Sequence, residues 1–283
     1  MNTRLFRNIG CLWPALMLAG CVHQNAQLRT LPAGADYVAM GSSYAAGAGI
    51  GPKQEGSPPR CDRSINNYAS SLAKAAGLAL KDVSCGGATT AHILAPWNEL
   101  PAQIDAVTRA TRLVTITIGG NDLGYVGTLF NGSCLAGVTG FPGPCRSVPR
   151  PTEADYRKLE AALTQIANEV HHRAPGARVI FVQYVTLLGS KTCPKATIAP
   201  EEAKAAGMIA SRLAEVTRHA AQTGGAELLP TDIMSQDHAV CADEPWSNGF
   251  FPNYPQAIGA PWHPNAAGHA AIARLLLKSI GQP

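Results

Sequence analysis

Two adjacent serines, Ser42 and Ser43, follow a short apolar run in YVAMGSSYAAGAG (37–49), with small residues behind them. A serine hydroxyl is a poor nucleophile at neutral pH, so such a pair does chemistry only if the chain also supplies a base and donors for developing negative charge. Three other stretches carry the residue types required. VSCGGATT (83–90) offers Gly87, ITIGGNDLGY (116–125) offers Asn121, and PWHPNAAGHAAIA (261–273) offers His263. A serine, an imidazole, a side-chain amide and a side-chain-free backbone amide are the parts of an acyl-transfer site.

The elements that must position them come next. DYVAM (36–40), LKDVS (80–84), LVTITI (113–118), RVIFVQYV (178–185) and AELLP (226–230) read as buried strands. Tyr156, Leu159, Leu163, Ile166 and Val170 recur at three- and four-residue steps and share one helical face. NNYASSLAKAAG, PEEAKAAGMIASRLAEVTRHAAQTGG and PNAAGHAAIARLLLKSI read as further helices, the first two stopped by glycine. Strand followed by helix, about five times over, predicts an α/β fold: a flavodoxin-like three-layer sandwich with a parallel sheet covered on both faces. Such sheets bind ligands beyond the carboxyl ends of their strands. Ser43, Gly87 and Asn121 all fall there, and His263 opens the last helix. The segments 119–151, 186–199 and 232–262 read as long loops, each carrying cysteine.

At these blocks the chain resembles the SGNH hydrolases of the GDSL esterase/lipase superfamily, and within it the exported, disulfide-bearing actinomycete-type enzymes. The resemblance runs from GSSY to HPNAAGH, and GGND after a buried strand is its most specific block. It implies a serine esterase or lipase that needs no metal or other cofactor, with Ser43 as nucleophile, His263 as general base, and Ser43, Gly87 and Asn121 as oxyanion hole. Each role has a physical basis. The amides of the turn after a strand face an exposed hydroxyl, Gly87 lets its amide approach closely, and Asn121 can donate from its side chain. The plain alternative for GGND is a tight turn.

Two positions depart from the family pattern. Ser42 stands where the family has an aspartate that fixes nearby loops, so no catalytic group is lost there. Ala260 stands where the family has the aspartate that orients the histidine. The expected substitute is a backbone carbonyl of the 259–262 turn, that of Ala260 in particular, giving a Ser–His dyad; Asp237 or Asp243 is the alternative, as a remote carboxylate. Tyr44 and Ala45 are expected to contribute little chemistry. His269 reads as a packing or capping residue, His171 and His172 as helix-end charges, and His92 as a solvated loop residue that could touch substrate. Trp246 and NGFFPNY (248–254) form an aromatic loop that either walls an acyl pocket or packs as satellite core.

The N-terminus reads as an export signal over residues 1–20: Arg4 and Arg7 precede an apolar run from Ile9 to Ala19 too short to span a bilayer comfortably. It ends in LAGC (18–21), which resembles the lipobox of bacterial lipoproteins. That resemblance implies lipidation of Cys21, a tether over 21–34, a hydrolase domain over 35–283, and anchoring to the cell envelope, at the outer membrane since no aspartate follows the cysteine. Six cysteines remain besides Cys11 and Cys21. An even number in an exported chain argues for disulfides, and of the fifteen or so possible pairings the expected set joins sequential neighbours, Cys61–Cys85, Cys134–Cys145 and Cys193–Cys241, each pinning one loop. No paired zinc-type spacing occurs.

With 15% charged residues, 46% apolar ones and a formal charge of +4 that falls when Arg4 and Arg7 are removed, the mature chain is globular, and no basic cluster points to nucleic acid. The partners expected are therefore an ester substrate and, through Cys21, a membrane. Removal of O-acetyl groups from a glycan would use the same machinery, and a catalytically degenerate binding lipoprotein is the reading from outside the enzymes. No phosphate-binding glycine motif supports a nucleotide site.

Overall fold

The computed structural model describes residues 31–140 and 144–281. The expected signal peptide over 1–20, the expected lipidation site Cys21 and most of the expected tether lie outside the described residues. Five strands, β1 (Asp36–Gly41), β2 (Ala79–Asp82), β3 (Leu113–Thr117), β4 (Arg178–Val182) and β5 (Glu227–Leu229), form one sheet in the order β2-β1-β3-β4-β5. Every pairing is parallel, with Tyr37 opposite Leu80 on one side and Leu113 on the other. β3 is buried at all five positions and β1 at all but its first, which is why both read as continuous apolar runs instead of alternating ones.

Eight α-helices accompany the strands among the described residues: α1 (Ser43–Ala46), α2 (Tyr68–Ala76), α3 (Thr90–Leu94), α4 (Tyr125–Leu135), α5 (Glu153–Arg173), α6 (Pro200–Thr223), α7 (Thr231–Met234) and α8 (Ala266–Ser279). α2 packs on α8, while α4 and α5 both pack on α6, so helices cover both faces of the sheet. The α5 stripe of Tyr156, Leu159, Leu163, Ile166 and Val170 is buried as its spacing requires. Its start is fixed by a capping box, in which Asp155 donates its backbone N–H to the Thr152 hydroxyl and accepts from the Thr152 N–H at 2.8 Å. Asn67 and Asn265 cap α2 and α8 through their side-chain oxygens.

The 119–151 segment is not simply a loop, because α4 lies within it. Gly127 and Gly132 dilute the apolar periodicity of this helix, so its sequence does not read as one. Its glycines serve close packing instead: a Cβ at Gly132 would fall 2.6 Å from Ile198 and from the Glu202 side chain. The structure joins Cys61 to Cys85, Cys134 to Cys145 and Cys193 to Cys241. Cys61–Cys85 ties the segment before α2 to the turn after β2, and Cys193–Cys241 ties the segment after β4 to the one before α8.

The chain leaves β1 toward β2 on one side and returns to β3 on the other, making the β1/β3 boundary the switch point of the sheet. A crevice opens at such a boundary because the flanking connections run in opposite directions. The loops after β2, β1 and β3 stand there side by side.

Candidate active site

β1 ends at Gly41, whose φ of +141° and close approach to Thr117 admit only glycine: a Cβ would sit 2.3 Å from the Thr117 carbonyl oxygen. This turn sends Ser42 inward and Ser43 to the first position of α1. Ser42 is 1% exposed and lies 3.4 Å from the Tyr184 hydroxyl, whereas Ser43 is half-buried at the crevice. Only Ser43 of the pair is therefore open to a substrate.

His263 reaches Ser43 across 220 residues of sequence, its Nε2 2.8 Å from Oγ. Its Nδ1 lies 2.7 Å from the Pro261 carbonyl. A carbonyl can only accept, so Nδ1 carries the ring proton and Nε2 of the neutral ring accepts from Ser43. Burial pushes the imidazole below its ordinary pKa, and the Pro261 hydrogen bond and the charge of Asp62 oppose that shift only in part. The ring is therefore neutral and able to take a proton at pH 7.

The carbonyl that orients the ring is that of Pro261, not the one expected of Ala260. The Ala260 oxygen faces the Asn248 amide at 3.5 Å, and the Ala260 N–H is spent on the Ala48 carbonyl at 3.1 Å. Between them and His263, Trp262 adopts φ +56°, a left-handed conformation in the turn that presents the Pro261 carbonyl to Nδ1. Such a conformation costs a bulky residue about 1–3 kcal/mol. Complete burial of the indole and its hydrogen bond to Ser133 Oγ at 2.9 Å hold it there. Neither Asp237 nor Asp243 is hydrogen-bonded to His263, whose Nδ1 is already engaged.

Gly87 sits in the turn after β2 with φ +80°, exposed, and its N–H has no partner among the described residues. The Ser43 N–H, at the first position of its helix, is likewise unengaged. Three contacts hold this turn against the ends of β1 and β3. The Cys85 N–H donates to the Gly41 carbonyl at 3.0 Å, Asn121 Nδ2 donates to the Ala88 carbonyl at 2.9 Å, and Thr90 bonds Asp122 through both its N–H and its hydroxyl. An amide nitrogen has two hydrogens, so Asn121 keeps a second one to offer.

The loop-fixing work of the family's missing aspartate falls to other groups. The Tyr184 hydroxyl accepts from the Gly120 N–H at 3.0 Å and stands beside Ser42. Asp82, at the end of β2, accepts from Asn67 at 2.7 Å, Gln54 at 2.8 Å and the Ser84 hydroxyl at 2.6 Å, joining the turns around β1 and β2. Neither role was visible in the sequence, where Tyr184 and Asp82 are ordinary strand-end residues.

His92 Nδ1 accepts from the Thr89 N–H at 3.0 Å, and its ring stacks on Trp97 at 4.0 Å. It is a helix cap in an aromatic stack. His269 is fully buried, with Nδ1 accepting from the Tyr68 N–H at 3.1 Å. Phe250 and Tyr254 are buried and pack edge to face with Phe130 and with each other, which makes that part of the aromatic loop satellite core. Trp246 stacks on His238. Among the described residues no three His, Cys, Asp or Glu side chains gather as a metal centre would need.

Comparison with known proteins agrees with this architecture. The profile of the GDSL-like Lipase/Acylhydrolase family matches residues 39–271. Lipase 2 of Streptomyces coelicolor is 32% identical over 257 residues, covering 87% of this chain and 86% of its own length. Among solved structures, phospholipase A1 from Streptomyces albidoflavus NA297 superposes with a TM-score of 0.69 at 25% identity, over 87% of this chain and all of that one. The extracellular lipase of Streptomyces rimosus gives 0.67 at 26% identity, over 86% of this chain and 99% of that one.

Proposed function

The chain belongs to the GDSL-like lipase/acylhydrolase family and is a carboxylic ester hydrolase, and from that premise we propose that it works through a Ser43–His263 dyad on lipid-type esters. The observation that carries this reading is the 2.8 Å contact between Ser43 Oγ and a neutral imidazole whose other nitrogen is held by a backbone carbonyl. Ser43 Oγ bonds to the ester carbonyl carbon as its proton passes to His263 Nε2, and the carbonyl electron pair moves onto oxygen. The N–H groups of Ser43 and Gly87 and the free hydrogen of Asn121 Nδ2 receive that oxyanion. Collapse re-forms the carbonyl and breaks the bond to the alcohol oxygen, which takes the proton from Nε2. Water, deprotonated by the same nitrogen, then resolves the acyl-enzyme and returns the proton to Ser43.

Lipid-type esters are supported by the relatives, a lipase and a phospholipase A1 among them. Export with lipidation at Cys21 is part of the proposal and rests on LAGC and the preceding apolar run. Fluorophosphonate treatment followed by peptide mapping, with hydrolysis of nitrophenyl esters of graded chain length, tests the dyad. An adduct on Ser43, with turnover lost in Ser43→Ala and His263→Ala, is the expected result. Absence of both adduct and turnover would overturn the dyad and favour the reading as a degenerate binding protein. Metabolic labelling with palmitate, lost in Cys21→Ala, tests the anchor.

A further inference from the structure

Tyr44 directly follows Ser43, and sequence reading gave it no task. It is 2% exposed and touches three parts of the site at once. Its hydroxyl donates to the Trp262 carbonyl, and its ring lies 4.7 Å from the His263 ring, tilted 40°. On the far side the ring lies 4.5 Å from Tyr184, the residue that bonds Gly120 beside Asn121. No other described group donates to the Trp262 carbonyl.

The peptide held by this contact is the one that joins Trp262 to His263. Fixing its carbonyl fixes the plane from which the imidazole projects. It also fixes the left-handed turn that presents the Pro261 oxygen to Nδ1. In a triad a carboxylate both orients the histidine and holds its tautomer. A neutral carbonyl two residues away in the same turn orients only as well as the turn is held.

We propose that Tyr44 is a positioning residue which, by clamping the Trp262 carbonyl and packing on the imidazole, supplies the orientation that the missing aspartate supplies elsewhere. The hydroxyl is suited to the task, since burial raises its pKa and keeps it a donor across the working pH range. Placement directly after the nucleophile matters too. One short helix, α1, then carries both the attacking oxygen and the clamp for its base, so the two move together. This inference rests on the Ser43–His263 reading, and its test fails on readouts distinct from those that test that reading.

Tyr44→Phe keeps the ring and removes the clamp. The expected result is a fall in kcat of about 10- to 100-fold, as for an angstrom-scale misplacement of a catalytic group, with KM unchanged within about twofold. The His263 Nδ1–H proton resonance, identified by its loss in His263→Ala, should broaden or vanish in the variant while circular dichroism stays the same. A purely structural tyrosine would lower stability and leave both the kcat/KM split and that resonance alone. Should Tyr44→Phe not fold, Ser133→Ala loosens the same turn from its other anchor, the Trp262 indole, and must give the same split. Unchanged kcat with an intact resonance in the folded variant overturns the proposal. Turnover surviving in Ser43→Ala or His263→Ala would instead overturn the dyad, which the Tyr44 variants do not test.

Discussion

His263 Nδ1 donates to the carbonyl of Pro261, two residues earlier in its own turn, at 2.7 Å. A ring nitrogen with one proton has one such bond to give, and among the described residues no carboxylate is hydrogen-bonded to it, as the proposed dyad requires. Asp237→Asn and Asp243→Asn, made separately, should each leave kcat/KM within about threefold of the parent, since neither touches the reacting groups. A thousandfold loss from either, measured on a nitrophenyl ester, would restore the remote carboxylate.

Asn121 is expected to matter in the transition state and little before it. Its Nδ2 already spends one hydrogen on Ala88, which aims the other. Asn121→Ala should lower kcat by about 100- to 1,000-fold, corresponding to roughly 3–4 kcal/mol for one oxyanion donor. Steady-state kinetics that show a rise in KM alone would remove Asn121 from the hole.

Acid should inactivate and destabilise the protein by two different histidines. His263 must be neutral to accept a proton, and burial lowers its pKa, so the acid limb of kcat/KM should lie below the ordinary histidine value of 6.5. His269 is pushed down to about 3 by burial and by the nearby His263. Between 6.5 and about 3 the unfolded chain binds a proton there that the folded chain refuses. Stability is then full above pH 6.5 and drains away as pH falls through that window. Urea midpoints should drop steadily from pH 7 to pH 4, and His269→Asn, which keeps an acceptor for the Tyr68 N–H, should flatten the slope.

Asp82 is a structural carboxylate. Removing it strands the Ser84 hydroxyl and takes one acceptor each from Asn67 and Gln54, which keep the Ala46 carbonyl and the Ser64 and Ser70 oxygens. Asp82→Ala should cost about 2–4 kcal/mol in urea unfolding, the range for unpaired buried polar groups in a network. A loss under half a kilocalorie or so would mean that water replaces the carboxylate without penalty.

The Cys61–Cys85 disulfide anchors the turn that carries Gly87, and the Gly86 N–H bonds the Cys61 carbonyl at 3.0 Å. A double serine variant should lose about 2–4 kcal/mol of stability. It should also lose kcat more than KM, because the unengaged Gly87 amide is no longer held in place. Equal activity of oxidised and reduced protein would show that the turn holds its own shape.

Much of this molecule is written locally. The three central strands β1, β3 and β4 announce themselves because parallel strands buried on both faces must be apolar, and α5 does so because one of its faces must be buried while the other stays wet. Ser43, Gly87 and Asn121 are legible as candidates for a related reason, since a strand end followed by a small or polar turn is where an α/β sheet exposes chemistry, whereas His263 is legible through the HPNAAGH block that opens the last helix. What orients His263 was not legible. The choice between the Ala260 and Pro261 carbonyls turns on one backbone angle at Trp262, and that angle is set by an indole reaching Ser133 and a phenol reaching over from Tyr44, 218 residues away. Nearest-neighbour patterns carry strands, helices and caps; the direction in which a carbonyl points is decided by packing partners that only the folded chain brings together.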